Sequence, residues 1–192
     1  MLRIEEGSPW AMWPNNLVDN FIDNPANKIF DHEGDFVFNL VFELVEPVTK
    51  KSCLFAKLPS YAGIDLDHDG ISFLFTCNGV TDYRFTTYAW EVGVKYELLI
   101  VKVNNQLGIS LNGVTIVTLN LESKLDGDDN SHLVFGAGNF PKNGFNLNYT
   151  NLILHKLVIL RDKELIAEHD FDTFIHNKSF DKTGNCNFIH KI

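Results

Sequence analysis

The stretch that decides the fold class is Leu107-Gly108-Ile109-Ser110-Leu111-Asn112-Gly113-Val114-Thr115-Ile116-Val117. Apolar residues alternate before Asn112-Gly113, and Val114, Ile116 and Val117 continue the apolar pattern after it. Asn-Gly accepts the positive φ angles that a two-residue type I′ turn requires. The stretch therefore predicts a β-hairpin.

Apolar alternation recurs on both sides of this hairpin, together with a few continuous apolar or aromatic runs. Asn78-Gly79 and Asp162-Lys163 each separate two such segments and predict further tight turns. The other predicted strands are residues 36–44, 71–77, 81–88, 96–103, 151–161 and 164–171. Many short strands joined by Asn, Gly and Asp turns indicate an antiparallel sandwich or barrel.

Helical periodicity is nearly absent, and the one helix candidate is the short segment from Pro14 to Ile22. Val37, Val41 and Val45 make the polar face of the first predicted strand partly apolar, which is typical of a strand covered on both faces. A chain of 192 residues with 45% apolar content can bury one sizeable core. We therefore expect one all-β domain over residues 1–192, with less regular arms at about 1–33 and 173–192.

The charge balance narrows the classes of partner. Lys and Arg total 16 against 25 Asp and Glu, a formal net charge of −9. Affinity for nucleic acid comes mostly from neutralising phosphates with basic side chains, so no nucleic-acid partner is expected. The same acidity disfavours anionic lipid. No membrane insertion is expected either, because no apolar run approaches the ~18 residues of a span. The N-terminus also lacks the pattern of a secretory signal.

The cysteines do not form a recognisable framework. Cys53, Cys77 and Cys186 are an odd and sparse set, and no Cys-x-x-Cys pair indicates zinc. Cys77 falls at an apolar position of the predicted strand 71–77, and Cys53 stands in the apolar stretch Cys53-Leu54-Phe55-Ala56. Buried thiols and a Cys53–Cys77 disulfide are both compatible with that placement.

The order of short motifs in the middle of the chain resembles a known superfamily. Trp90 is followed by Gly93 and Tyr96, an apolar strand, and then a hairpin turning at Asn112-Gly113. A strand ending in glycine follows at Leu133 to Gly138, then a strand at Leu152 to Leu160 and the tail Asp181 to Asn187. Over roughly residues 36 to 190 this order is similar to the laminin-G-like branch of the concanavalin A-like lectin/glucanase superfamily.

The resemblance implies a jelly-roll sandwich of two antiparallel sheets. Members of that superfamily include lectins, carbohydrate-binding modules, glycan-cleaving enzymes, adhesion modules and phage virion proteins, so the fold alone does not settle function. The Asn-rich and Phe-rich composition looks like that of a viral structural protein. We expect a non-catalytic module, surface-displayed or virion-associated, that recognises glycans or joins a larger assembly. A free lectin is the alternative. Trp10 and Trp13 could be exposed anchors for other subunits or a second copy, or they could be ordinary packing residues.

A glycan site needs flat aromatic faces beside polar groups. The best cluster in the sequence is Tyr83, Arg84, Tyr88 and Trp90. Strand alternation places Tyr83 and Arg84 on opposite faces, so the four cannot all line one surface. Trp90 is expected to pack into the core more readily than to face solvent.

Asp65, Asp67 and Asp69 open an Asp-x-Asp-x-Asp-Gly stretch, which offers oxygen ligands to a hard cation such as Ca²⁺. An EF-hand is excluded because Thr76 stands at the twelfth position and the flanks are strands. A calcium loop of another type and a plain acidic turn both remain possible interpretations of this stretch. The expected function requires no cofactor. Asp126, Asp128 and Asp129 form a second acidic cluster, for which calcium binding and a solvated loop are likewise the two alternatives.

The runner-up function is glycoside hydrolysis. On a strand, Glu168, Asp170 and Asp172 share one face, and retaining glycosidases need two carboxyl groups only ~5–5.5 Å apart. The stripe resembles the Glu-x-Asp-x-Glu signature of glucanases in the same superfamily, although Asp172 is shorter than the last Glu and the stripe lies near the C-terminus. The solvent face of a final strand explains the stripe equally.

Overall fold

The computed structural model describes residues 2–4, 10–14, 30, 33–57, 62–122, 125–126, 133–135, 151–171, 178–180 and 186–190. Within these ranges the chain forms fifteen strands and no α-helix. The strands are β1 (Leu2–Ile4), β2 (Trp10–Pro14), β3 (Phe36–Leu44), β4 (Ser52–Lys57), β5 (Ala62–Asp67), β6 (Gly70–Cys77), β7 (Val80–Thr87), β8 (Lys95–Val103), β9 (Gln106–Leu111), β10 (Val114–Asn120), β11 (Leu133–Phe135), β12 (Leu152–Arg161), β13 (Glu164–Asp170), β14 (Lys178–Phe180) and β15 (Cys186–His190). The predicted all-β class is confirmed.

The strands lie in two antiparallel sheets. Sheet 1 has the order β1-β12-β3-β8-β9-β10, with β13 also paired to β12. Sheet 2 has the order β14-β15-β2-β11-β4-β5-β6-β7. Strands from both terminal regions, β1 and β2 at one end and β14 and β15 at the other, thus join the sheets. Among the described residues no helix is long and apolar enough to cross a membrane.

The core lies between the two sheets. Strand alternation turns one face of each sheet inward, and β3 is alternately buried and half-buried along its whole length. Phe38 of sheet 1 and Phe55 of sheet 2 are both fully buried, with ring centroids 4.8 Å apart. The Phe30 ring, also fully buried, stacks on Phe55 with a centroid distance of 5.8 Å. Burying a side chain of this size stabilises the fold by about 2–3 kcal/mol. On the other face of β3, Val37 and Val41 are half-buried.

The three predicted hairpin turns are confirmed. Asn112 and Gly113 have φ angles of 50° and 77°, and Asn78 and Gly79 have 51° and 72°. Asp162 and Lys163 have φ angles of 50° and 71° without a glycine. Asp162 is held in this conformation from outside the turn. Its amide donates to Asp35 O at 2.8 Å, and its carboxylate accepts from Asp35 N at 2.9 Å.

One expectation needs correction, and one alternative that the sequence left open is settled. Pro14 is the last residue of strand β2, not the start of a helix, and residues 15–22 of that candidate lie outside the described residues. Cys53 and Cys77 are thiols, not a disulfide. Their strands β4 and β6 are separated by β5. Two strand spacings amount to about 10 Å, beyond the reach of a disulfide bond.

Candidate functional site

Among the described residues, the exposed aromatic side chains Tyr83 and Phe85 lie on the outer face of β4 to β7, the face of sheet 2 turned away from the core. The strand register places Cys53, Asp65, Ser72 and Phe85 in one row across these strands. Tyr83 stands two residues from Phe85 and therefore shares its face. The intervening residues of β5 and β6, such as Phe73, point into the core.

Polar contacts connect this row to Tyr83. Lys51 Nζ lies 3.2 Å from Asp65 Oδ2 and 5.0 Å from the centroid of the Tyr83 ring. A hydrogen bond of 2.8 Å joins the Tyr83 hydroxyl to Ser72 Oγ. Ser72 is buried, whereas Tyr83 remains half exposed. The contacts fix the position of the Tyr83 ring while leaving much of its surface in solvent. We call Lys51, Asp65, Ser72, Tyr83 and Phe85 the outer-face cluster.

Burial is the largest single influence on the pKa values of Asp65, Cys53 and Lys51. It raises the pKa of the Asp65 carboxyl, against the opposing effects of the Lys51 ammonium and a hydrogen bond from Cys53. It also raises the pKa of the Cys53 thiol well above its ordinary range. Burial alone would lower the pKa of Lys51, but Asp65 and Tyr83 together raise it. Lys51 therefore stays cationic at the margin of the cluster at neutral pH.

The sequence prediction missed Lys51, Ser72 and Phe85, and Phe85 is the aromatic residue among these three members of the cluster. It is 42% exposed, and Tyr83 is 51% exposed. The Phe85 ring lies across Gly70 of the neighbouring strand, where an added Cβ would come within 2.5 Å of the ring and 2.4 Å of Thr86 O. A glycine thus makes room for the aromatic side chain. The available signal was the spacing of Tyr83 and Phe85, which puts two aromatic side chains on one face of a strand.

Arg84 lies on the opposite side of β7 from Tyr83, as its position in the strand predicted. Its register partner is the core residue Phe73, and at this edge its guanidinium turns to Asp82. Arg84 Nε lies 2.9 Å from Asp82 Oδ1. Arg84 therefore does not join Tyr83 in a common site.

Tyr88 and Trp90 come together elsewhere, at one end of the sandwich. Their ring centroids are 4.8 Å apart, and Trp90 also contacts Tyr96 at 5.0 Å and Phe42 at 6.3 Å. The Trp90 indole N–H donates to the carbonyls of Asp67 and Gly70, each at 3.0 Å. Trp90 is partly buried against the core, as expected, and it holds the β5–β6 turn in place.

The three aspartates predicted to hold calcium divide between two environments. Asp65 lies in the outer-face cluster beside Lys51, whereas Asp67 and Asp69 lie at the β5–β6 turn with His68. One ligand atom from each of Asp67, His68 and Asp69 falls within 4.8 Å of the others. A hydrogen bond from His68 lowers the pKa of Asp67, and the same bond raises the pKa of His68. Among the described residues, this turn brings together side chains that could hold a cation.

Asp126 of the second acidic cluster has a structural contact. Its carboxylate accepts hydrogen bonds from the amides of Asn78 and Gly79, at 3.0 and 2.6 Å. It thereby fixes the β6–β7 turn. Asp128 and Asp129 lie outside the described residues.

The carboxylate stripe of the runner-up function lies on edge strand β13. His169 is fully buried and stacks on Phe171 with a centroid distance of 5.7 Å. Alternation therefore turns Glu168 and Asp170 to the outer face of sheet 1. Asp172 lies outside the described residues. The backbone of β2 places Trp10 and Trp13 in sheet 2, but their side chains are likewise not described.

A cavity of about 260 Å³ opens between the sheets at the edge formed by β7 and β10. Its apolar lining comes from both sheets and consists of Phe75, Val80, Leu119, Leu121 and Leu125. Asp82 and Glu122 are the charged residues among its lining. Such a lining suits an apolar group better than a sugar, whose hydroxyls need hydrogen-bonding partners.

No protein-family model and no curated protein matches this chain. Several solved structures do resemble it. A Bacteroides ovatus protein assigned to carbohydrate binding aligns over all of this chain and 59% of its own, with a TM-score of 0.66 and 11% identity. Domains LG4-5 of the mouse laminin α1 chain align over 85% of this chain and 42% of theirs, with a TM-score of 0.56 and 10% identity. Tailspike protein 2 from an Escherichia coli bacteriophage, CAB120, aligns over 74% of this chain and 24% of its own, with a TM-score of 0.54 and 13% identity.

Identities this low show the fold alone, and the fold is the concanavalin A-like, laminin-G-type jelly roll that the motif order implied. The chain spans less than two thirds of each of these structures. What those proteins bind is therefore not carried to this chain by similarity.

Proposed function

We propose that this chain is a non-catalytic glycan-binding module, displayed on a cell surface or a virion, and that its glycan binds the outer-face cluster. The observation that carries the proposal is the exposure of Tyr83 and Phe85 on one face of β7, 51% and 42% exposed, beside charged and hydroxyl groups. This combination of aromatic faces and polar groups is what a sugar ring requires.

The aromatic rings and the polar groups of the cluster would contact different parts of a sugar. A pyranose presents C–H groups on its flat face and hydroxyls around its rim. The C–H face can pack on the Tyr83 or Phe85 ring, and each ring buried by a ligand contributes about 1.5–3 kcal/mol. The Lys51 ammonium lies beside Tyr83 and can hydrogen-bond hydroxyls at the rim, while the buried Asp65 carboxylate holds the ammonium in place from beneath. Residues two apart on a strand are about 7 Å apart, so a chain of sugars could cover both rings.

The fixed position of the Tyr83 ring supports this proposal. The hydrogen bond to Ser72 and the contact with Lys51 hold the ring before any ligand arrives. A preorganised ring loses little conformational entropy on binding. The likeness of the fold to a protein assigned to carbohydrate binding agrees with the proposal.

We expect Tyr83→Ala and Phe85→Ala each to weaken glycan binding by about tenfold or more, because 1.4 kcal/mol corresponds to a factor of ten. The measurement is a glycan array with the unaltered chain, followed by calorimetric titration of each variant with the best-bound oligosaccharide. Tyr83→Phe keeps the ring and should bind within a few-fold of the unaltered chain.

Leu165→Ala is the matched control, since Leu165 is a 40% exposed apolar residue on sheet 1, far in the fold from β7. Equal losses of affinity in Leu165→Ala and Tyr83→Ala would contradict the proposal, and so would an array without any bound glycan. Hydrolysis by Glu168, Asp170 and Asp172 stays the alternative prediction of the sequence.

We also propose that the β5–β6 turn binds calcium through Asp67 and Asp69. Calcium prefers oxygen ligands, and the two carboxylates lie on either side of His68. A bound ion stabilises the folded state by mass action. We expect CaCl₂ to raise the melting temperature relative to EDTA, and Asp67→Asn with Asp69→Asn to abolish the rise. An unchanged melting temperature in millimolar calcium would refute this prediction.

A further inference from the structure

Strand β7 is the last strand of sheet 2 in the part of the chain that the structure describes. It pairs with β6 along one edge, and within the described part of the chain no strand pairs with the other. Side chains along it are unusually exposed for apolar residues, with Val80 at 70%, Tyr83 at 51% and Phe85 at 42%. An exposed, regular edge strand with such residues is a template for pairing with another strand.

The register with β6 shows which backbone groups face outward. The two-residue turn at Asn78-Gly79 makes Cys77 and Val80 a hydrogen-bonded pair, and such pairs alternate along an antiparallel ladder without a break here. Residues 80, 82, 84 and 86 therefore bond to β6. Residues 81, 83, 85 and 87 turn their N–H and C=O groups to the open edge.

In a second copy of β7 paired with this edge about a twofold axis, outward residues must lie opposite outward residues. The axis must therefore pass through a residue, and the central residues of β7 are Asp82, Tyr83 and Arg84. An axis at Asp82 places two aspartates opposite each other, and an axis at Arg84 places two arginines opposite each other. An axis at Tyr83 instead places Asp82 opposite the partner's Arg84, twice by symmetry. Opposite charges at facing positions stabilise a strand pair and like charges destabilise it, so only the Tyr83 register is complementary.

We propose that β7 is a homodimer interface in which two copies pair antiparallel with Tyr83 on the twofold axis. Sheet 2 of both copies then becomes one continuous sheet. Asp82 and Arg84 already form an ion pair within one chain while remaining 42% and 56% exposed at their side chains. The dimer lets each of them pair with the partner's opposite charge, and the outward backbone groups of residues 81, 83 and 85 gain hydrogen bonds.

This geometry has a consequence for binding, which rests on the proposed function. Tyr83 and Phe85 lie on the outer face, so the edge pairing leaves them uncovered. The two outer-face clusters meet at the axis and form one aromatic surface. A branched or repeating glycan could then engage both copies at once and gain avidity. The dimer itself does not depend on any glycan.

The test is a charge exchange measured by light scattering on a sizing column and by sedimentation equilibrium. The unaltered chain should approach twice the 21.8 kDa of one chain with increasing concentration. Asp82→Arg and Arg84→Asp should each be monomeric, because each places like charges in both facing pairs. An equimolar mixture of the two variants should form a heterodimer, and the double variant with both changes should dimerise like the unaltered chain.

Restored dimerisation in the mixture also shows that both single variants fold, so misfolding cannot imitate the expected pattern. The dimer should weaken at high salt, because the ion pairs are exposed. A monomer at every concentration up to about 100 µM would overturn the proposal. Single variants that dimerise as well as the unaltered chain would also overturn it, and so would a mixture that stays monomeric. Glycan titrations are separate experiments, so the proposed function can fail while the dimer stands.

Discussion

Trp90→Ala should lower the free energy of unfolding by about 3 kcal/mol, near the lower end for removal of a large aromatic side chain. The indole contacts Phe42, Tyr88 and Tyr96 at the end of the sandwich. Its N–H also satisfies two carbonyls of the β5–β6 turn, those of Asp67 and Gly70. The alanine variant loses the packing and leaves both carbonyls without this donor. Urea unfolding at neutral pH measures the change.

Trp90→Phe separates the two contributions. It keeps an aromatic ring against Tyr96 but lacks the N–H donor, so a loss of about 1–2 kcal/mol is expected. Glycan affinity is the second readout. If Trp90 is structural, the folded Trp90→Ala variant should bind glycan within a few-fold of the unaltered chain, whereas Tyr83→Ala should not. A Trp90→Ala variant with unchanged stability and lost glycan binding would instead make Trp90 a ligand residue.

Local sequence pattern was sufficient for the strands and their turns. Asn112-Gly113, Asn78-Gly79 and Asp162-Lys163 each lie between apolar segments, and all six residues have the positive φ that such turns need. The turn and its strands are neighbours in sequence, so the information is local. The short helix candidate failed at Pro14 because its weak apolar pattern suits a strand equally, and β15 supplies a partner strand from the far end of the chain.

The candidate site was only partly predictable. Alternation alone separates Tyr83 from Arg84, and it could also have joined Phe85 to Tyr83. The rest of the cluster depends on strand order: Asp65 and Ser72 reach Tyr83 only because β5, β6 and β7 are adjacent in sheet 2. Strand order is a property of the assembled sheets. The grouping of Tyr83 with Tyr88 and Trp90 failed for the same reason. The three residues are close in sequence, but the assembled fold places Tyr88 and Trp90 at the end of the sandwich, away from the outer-face cluster.

Lys102 illustrates the limit of local pattern most sharply. It lies within the apolar run of residues 96–103, which predicts a buried strand, and a lysine there would be expected to face solvent. Instead Lys102 is 1% exposed. Its ammonium donates to the carbonyls of Glu33 and Gly34, at 2.6 and 2.8 Å. Both acceptors lie more than sixty residues earlier in the chain, so the sequence around Lys102 does not indicate them.

Lys102→Met is accordingly expected to lower the free energy of unfolding by about 2–3 kcal/mol. Methionine fills a similar volume but leaves the carbonyls of Glu33 and Gly34 without their charged donor. Part of the loss is offset, because methionine avoids the cost of burying an ammonium. Lys95→Met, at the exposed start of the same strand, is the control and should change stability by less than about 0.5 kcal/mol. A Lys102→Met variant as stable as the unaltered chain would show that the burial cost cancels the hydrogen bonds.

The pH dependence of the same pair of proteins tests the electrostatic part of this account. Burial lowers the pKa of Lys102 below its ordinary 10.5, although Asp35, Asp162 and Glu33 oppose the change. Between the lowered pKa and 10.5 the unfolded chain binds more protons at this position than the folded chain, so folding gains stability as pH rises. The unaltered chain should therefore gain stability relative to Lys102→Met as pH rises through this window toward 10.5. Urea unfolding of both proteins across that range measures the difference. A gap that narrows with rising pH would mean that the buried ammonium is stabilised, and not penalised, by its surroundings.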